Sequence, residues 1–184
     1  MKWLLESLLK TVQIGSYDSI NIACFKSDNR EFFHFITRVL TFVEEVDLKR
    51  YQRITQELDW IVNQQALARY SGKYSSSLRM CSVGYDITDE TSNDDVIYYA
   101  SLVIHEATHG YIYRKGIKYS EENWERIERL CVAEQNRFLK KAKTMFPEIA
   151  EKYISEFNPK SWKYYWSTPS WKKLLHQLSR ILRG

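Results

Sequence analysis

His105, Glu106 and His109, in the run His105-Glu106-Ala107-Thr108-His109, are the residues of this chain whose types and spacing carry chemistry. On a helix, residues four apart stand one turn above each other, so both imidazoles project from one face and suit a single tetrahedral zinc ion. Glu106 points beside such a site rather than into it. There it can take a proton from a water whose pKa the metal has lowered toward neutrality. The expected chemistry is zinc-dependent hydrolysis.

The element that must hold these residues is a helix over residues 95–116. From Asp95 to His109 the chain runs without Pro or Gly, and Tyr98, Ser101, Leu102, His105, His109 and Ile112 recur at helical spacing. Ser92, Asn93 and Asp94 offer caps at its start, and Gly116 closes it as a C-terminal cap does. One histidine on such a partly apolar face reads as a core residue satisfied by a hydrogen bond; two at ligand spacing, flanking a glutamate, point to a metal. His34 falls on the polar side of an earlier helix and reads as a surface residue. The acids between Thr88 and Asp94 lack the internal Gly and closing Glu of a calcium loop and read as capping and solvation.

A zinc site needs at least a third protein ligand. The short-spaced third His of the metzincin pattern is absent, because Ile112 and Lys115 stand where that pattern requires Gly and His. The next helix, capped at Ser120 and running to about Lys143, buries a stripe read as Trp124, Ile127, Leu130, Cys131 and Phe138. At 100° per residue Glu134 falls at the centre of that stripe, where a carboxylate without a partner is costly and coordination of a cation offsets the cost. Glu134 is therefore the expected third ligand. Glu128, on the margin of the stripe, is the alternative ligand or an acceptor for a ligand's other ring nitrogen. The competing reading of Glu134 is a buried carboxylate paired with Arg or Lys.

The pair His105-Glu106-x-x-His109 with a glutamate on the following helix resembles the gluzincin branch of the zincin metallopeptidases, over roughly residues 78–145. The resemblance implies zinc bound by His105, His109 and Glu134, with Glu106 as general base and a peptide or protein as substrate. It also implies a small sheet whose edge strand lies beside the metal helix, and residues 78–87 are the candidate for that edge. The Asn-Glu-x-x-Ser-Asp run of thermolysin does not follow, so thermolysin's substrate preferences are not implied. Gluzincins often stabilise the oxyanion with a downstream Tyr or His. Tyr153, Tyr164, Tyr165 and His176 are of the right type.

The remaining elements give an α+β chain, mostly helical, with a small antiparallel or mixed sheet. An amphipathic helix opens it, and Ser19–Phe25 alternates as a strand after a break at Gly15 and Ser16. Ser27-Asp28-Asn29 offers a cap for a helix over 30–46, followed by a shorter helix around 48–58. Residues 58–63 fit a strand or the end of that helix equally. Gly72 and the serines at 75–77 read as a loop, 78–87 as a strand, and 146–157 as a helix started by Pro147.

At 184 residues the length fits one domain, with a zincin-like body over 1–157 and a basic, aromatic helical segment over 158–184 docked on it. That last segment holds six Lys or Arg and no acid, whereas the body carries 21 basic against 23 acidic groups. Contact of the segment with nucleic acid or an anionic membrane is the alternative to docking. Cys24, Cys81 and Cys131 are odd in number and widely spaced, which suits a reduced, cytoplasmic protein. No stretch has the apolar length of a membrane span.

Overall fold

Apolar runs and helical stripes resolve into the order α1 (Lys2–Thr11), β1 (Gln13–Tyr17), β2 (Ile20–Cys24), α2 (Arg30–Val46), α3 (Leu48–Glu57), β3 (Trp60–Asn63), β4 (Gly72–Ser75), β5 (Met80–Val83), α4 (Asn93–Arg114), α5 (Trp124–Ala142) and α6 (Pro147–Tyr153). The computed structural model describes residues 2–25, 30–64, 71–86 and 92–160. The cap expected at Ser27-Asp28-Asn29, and Tyr164, Tyr165, His176 and the last basic helix, lie outside these residues. The architecture is a mixed α+β single domain with the small sheet that the patterning implies. Among the described residues no helix is long and apolar enough to cross a membrane.

The strand order is β1-β2-β3-β5-β4, with β2, β3 and β5 parallel neighbours and β1 and β4 added antiparallel at the two edges. Every residue of β3 is buried, as an inner strand of a parallel sheet requires, and this decides 58–63 in favour of a strand. The strand expected over 78–87 forms at Met80–Val83, but it lies between β3 and β4 rather than at the edge. The edge is β4, whose Gly72 and Ser75 gave it the appearance of a loop. Likewise β1 runs through Gly15 and Ser16, with a register shift between Gln13 and Gly15.

Because side chains alternate across the sheet, its two faces build two cores. On one face Ile20, Ile22, Cys24, Ile61, Cys81 and Val83 pack with Phe32, Phe35, Ile36, Val39 and Leu40 of α2 and with α4. On the other, Ala23, Trp60, Val62 and Met80 meet Leu9 of α1 and Val12. Phe35 stacks on Tyr85 at a centroid distance of 3.9 Å, and Tyr99 meets both rings edge-on while its hydroxyl donates to the Gly84 carbonyl at 2.5 Å. This knot joins α2 and α4 to the end of β5, each ring pair adding about 1 kcal/mol beyond its buried area.

The central element is α4. Instead of a single stripe it is buried on almost every side, against α2, α3, α5, α6 and β4. Ser92 caps it by accepting from the Asp95 N–H at 3.1 Å, and Asp94 and Asp95 favour its positive end. At the other end Gly116 takes a φ of +83°, the left-handed conformation that glycine adopts without a steric penalty. The rigidity of α4 fixes His105 and His109 in the middle of the domain.

An ion-pair cluster fastens α3 to α5. Asp47 caps α3 through the Arg50 N–H, accepts from the Arg50 guanidinium, and receives Lys141 at 2.8 Å. Glu134 accepts from Arg50 at 3.0 Å, from Arg53 at 2.9 Å and from Arg137. Burial alone would raise both carboxyl pKa values, but the surrounding cations win and hold them below their ordinary 3.8 and 4.5. A lowered folded pKa means stability that is present above the unfolded value and lost as pH falls through the folded one. Glu134→Gln is thus expected to destabilise the domain by about 2 kcal/mol at neutral pH by removing the carboxylate that Arg53 meets and leaving Arg50 with Asp47 alone. Urea unfolding followed from pH 7 downward checks this, since the variant should also lose part of the acid-dependent decline. A flat difference across that range would remove Glu134 from the cluster's energetics.

Candidate metal centre

Helix α4 supplies His105 and His109, and the packed α5 turns Glu128 toward them. His105 Nε2 lies 3.2 Å from His109 Nε2 and 3.2 Å from Glu128 Oε2, and His109 Nε2 lies 3.6 Å from Glu128 Oε1. Donors about 2.0–2.2 Å from a tetrahedral zinc stand roughly 3.3–3.5 Å from one another. Glu128 thus meets each histidine with a different oxygen, and the two imidazole nitrogens and this carboxylate stand together at about the spacing of donors around one such ion.

The hydrogen bonds behind these donors fix which nitrogen of His105 faces the centre. Ser101 Oγ donates to the Tyr98 carbonyl at 2.7 Å, so its lone pair accepts Gln135 Nε2 at 3.1 Å. Gln135 Oε1 is then turned to His105 Nδ1 at 3.3 Å, and the Nδ1–H donates to it. In a neutral imidazole this leaves the Nε2 lone pair facing a carboxylate and a second imidazole. A carboxylate and imidazole lone pairs brought this close favour a proton or a cation among them. Burial by itself lowers the His105 pKa, yet the hydrogen bond to Glu128 and the charges of Glu106 and Glu128 raise it overall. Burial likewise opposes ionisation of Glu128, and its hydrogen bonds to His105 and His109 overcome this, holding the carboxyl well below the usual range.

Glu128 is held from the other side as well. Tyr119, in the segment between α4 and α5, donates to Glu128 Oε1 at 2.6 Å, and its ring lies 5.7 Å from that of His109. Cys131, one turn beyond Glu128, brings its Sγ within 4.8 Å of ligand nitrogens of both histidines. Behind the centre, Ile112, Ile127 and Cys131 form a small apolar cluster with Tyr111 and Tyr119 at its rim.

Glu106 stands beside the donors, buried, and meets the sheet at its β4 edge. It accepts a hydrogen bond from the Tyr74 backbone N–H, and burial pushes its carboxyl pKa up against the pull of His105 and His109. The close approach depends on two glycines. A Cβ on Gly72 would stand 2.7 Å from Glu106 Oε1 and 2.9 Å from Leu102 Cδ1, and one on Gly110 would stand 3.0 Å from Glu57 Cβ and 3.2 Å from the Tyr74 ring. Gly72→Ala is accordingly expected to displace Glu106 while leaving the donor triangle intact. A loss of turnover on the order of tenfold with unchanged metal content would show this, and equal loss of both would refute it. A groove of about 310 Å³ along Lys73, Ser75, Met80 and Ser82 opens on the other face of the sheet and does not lead to the histidines.

The structure brings together His105, Glu106 and His109, as their spacing implies, but not Glu134. That carboxylate is turned into the arginine cluster at the α3 side of α5, which is the paired-carboxylate reading of the sequence. Glu128 occupies the place expected of Glu134. Tyr153 is also elsewhere: it packs on Tyr98 and bonds to Asp94 near the start of α4, roughly three turns from His105. His34 is exposed on α2. Sequence reading missed Tyr119, Gln135 and the placing of Cys131; Glu128, Cys131 and Gln135 share one face of α5 at i, i+3 and i+7, and that was the available signal.

If the centre takes up zinc, Gln135→Ala should free the His105 ring to rotate and weaken that binding about 10- to 100-fold, as loss of such a supporting hydrogen bond does in zinc sites generally. Competition titration with a chromophoric chelator measures it, and wild-type affinity would show that the ring is held by packing alone. Comparison of the chain with protein-family models, with curated proteins and with solved structures finds no match.

Proposed function

We propose that this chain is a zinc-dependent hydrolase acting on peptide bonds, with His105, His109 and Glu128 holding the ion and Glu106 as general base. The observation that carries the reading is the convergence of two imidazole nitrogens and a buried carboxylate at distances near those of donors on one zinc, with the hydrogen-bond chain through Gln135 turning His105 Nε2 toward Glu128 and His109. Zinc, when bound, supplies a Lewis acid that polarises a carbonyl and acidifies water.

The chain's own residues do the rest. Gln135 fixes the His105 tautomer, and Tyr119 holds Glu128 Oε1, which also lies toward His109, while Oε2 faces His105. Glu106 accepts a proton at its carboxylate from the attacking water and returns it to the leaving amine nitrogen. A peptide or protein substrate in extended form fits beside β4, the outer strand of the sheet that Glu106 adjoins, in the role expected of 78–87. The free cysteines Cys24, Cys81 and Cys131 suit a reducing compartment such as the cytoplasm.

The test is metal analysis followed by hydrolysis of a mixed peptide library. About one zinc per chain, with cleavage abolished by a chelator and restored by zinc, is the expected result. A protein that takes up no zinc would overturn the reading.

A further inference from the structure

We propose that Cys131 Sγ is a fourth donor to the ion held by His105, His109 and Glu128, closing the centre at rest, so that water and substrate enter only when the sulfur leaves. The inference rests on the metal-centre reading above and concerns how that centre is regulated. Two helices present paired donors: His105 and His109 at i and i+4 on α4, Glu128 and Cys131 at i and i+3 on α5. Sγ lies within 4.8 Å of the histidine donor atoms, against roughly 3.6 Å for sulfur and nitrogen on one tetrahedral zinc. The thiol is wholly buried and takes part in no hydrogen bond among the described residues, so nothing there holds it off the histidines.

The competing account is a small apolar packing residue beside Ile112 and Ile127, the ordinary role of a buried cysteine. Packing explains the burial. It does not require the sulfur to lie within 4.8 Å of two imidazole nitrogens. On binding, the S–H bond breaks, the electron pair of sulfur goes to the ion and the proton passes to water, with no change of oxidation state. On opening, sulfur recovers a proton and water takes the vacated position. A His₂GluCys set is closed, as structural zinc sites are, and a His₂Glu set with one open position is of the hydrolytic kind.

X-ray absorption of the zinc-loaded full chain should show one sulfur at about 2.3 Å among nitrogen and oxygen neighbours. The cobalt(II)-substituted protein should show a thiolate-to-cobalt charge-transfer band that disappears in Cys131→Ala and Cys131→Ser but persists in Cys81→Ala. The Cys131 variants, with one position permanently open, should hydrolyse peptides faster, on the order of tenfold. Stoichiometric zinc and cobalt without any sulfur signal would overturn the inference and leave the metal centre standing. Failure of the wild type to bind either ion would overturn both. The absorption measurement needs no variant, so it decides the matter even where substitution at Cys131 impairs folding.

Discussion

Glu128→Gln should yield a folded protein that has lost its zinc, with affinity reduced more than about 100-fold, beyond what loss of a supporting hydrogen bond costs. The amide keeps the shape of the carboxylate, and its oxygen still accepts from the Tyr119 hydroxyl that now bonds Glu128 at 2.6 Å. What disappears is the negative charge facing His105 Nε2 at 3.2 Å and His109 Nε2 at 3.6 Å. Glu134→Gln provides the opposite result. It should keep about one zinc per chain while losing stability, because its carboxylate serves Arg50, Arg53 and Arg137. Metal content and urea unfolding measured on both variants give a crossed pattern that no general loss of folding reproduces. Full zinc occupancy in Glu128→Gln, or its loss in Glu134→Gln alone, would return the third ligand to Glu134.

The exchange of one glutamate for the other has a definite origin. The stripe on α5 was centred by counting Leu130 as buried, and Leu130 is 46% exposed. The residues buried on α5 are Ile127, Glu128, Cys131, Val132, Phe138, Leu139 and Ala142, whose mean direction lies about 70° from Ile127. On that corrected axis Glu128 and Gln135 are near the centre and Glu134 is on the margin. Counting Leu130 turned the inferred face by only about 20°; the rest of the difference comes from leaving out Glu128, Val132, Leu139 and Ala142, which are buried on the far side of Ile127. The two histidines were immune to this error, because their relation is set by spacing within α4 and needs no knowledge of what α4 packs against.

The sheet shows the same division. Strands β2 and β5 were legible as short apolar or alternating runs, and the helices over 30–46 and 48–57 as strong periodic patterns. The edge strands β1 and β4 were not, since Gly15, Ser16, Gly72 and Ser75 carry turn chemistry and an edge strand needs little apolar alternation. At β4 the glycine has a positive reason to be there: Gly72 lets the edge approach Glu106 more closely than any side chain would allow. The feature that concealed the strand from sequence reading is the feature that brings it to the site.

Glu106→Gln should leave zinc content unchanged and lower turnover on the order of 10³-fold, within the range that a positioned general base contributes. Glutamine keeps an oxygen to accept from the Tyr74 N–H, so the base is removed without orphaning the backbone donor, whereas alanine would leave it unsatisfied at a cost of about 1–3 kcal/mol. In the metal-free protein burial raises the Glu106 pKa, so its ionised form works against folding at neutral pH. A raised folded pKa gives stability that is present at low pH and lost as pH rises through the folded value. The neutral amide escapes that loss. Metal-free Glu106→Gln should therefore unfold at no lower a urea concentration than wild type at pH 7, and the loss of turnover cannot then be ascribed to unfolding. A residue kept at a cost to stability, and required for turnover but not for zinc, has the signature of a group selected for chemistry. Unchanged turnover in a zinc-loaded Glu106→Gln protein would remove Glu106 from the mechanism and reduce the centre to a structural one.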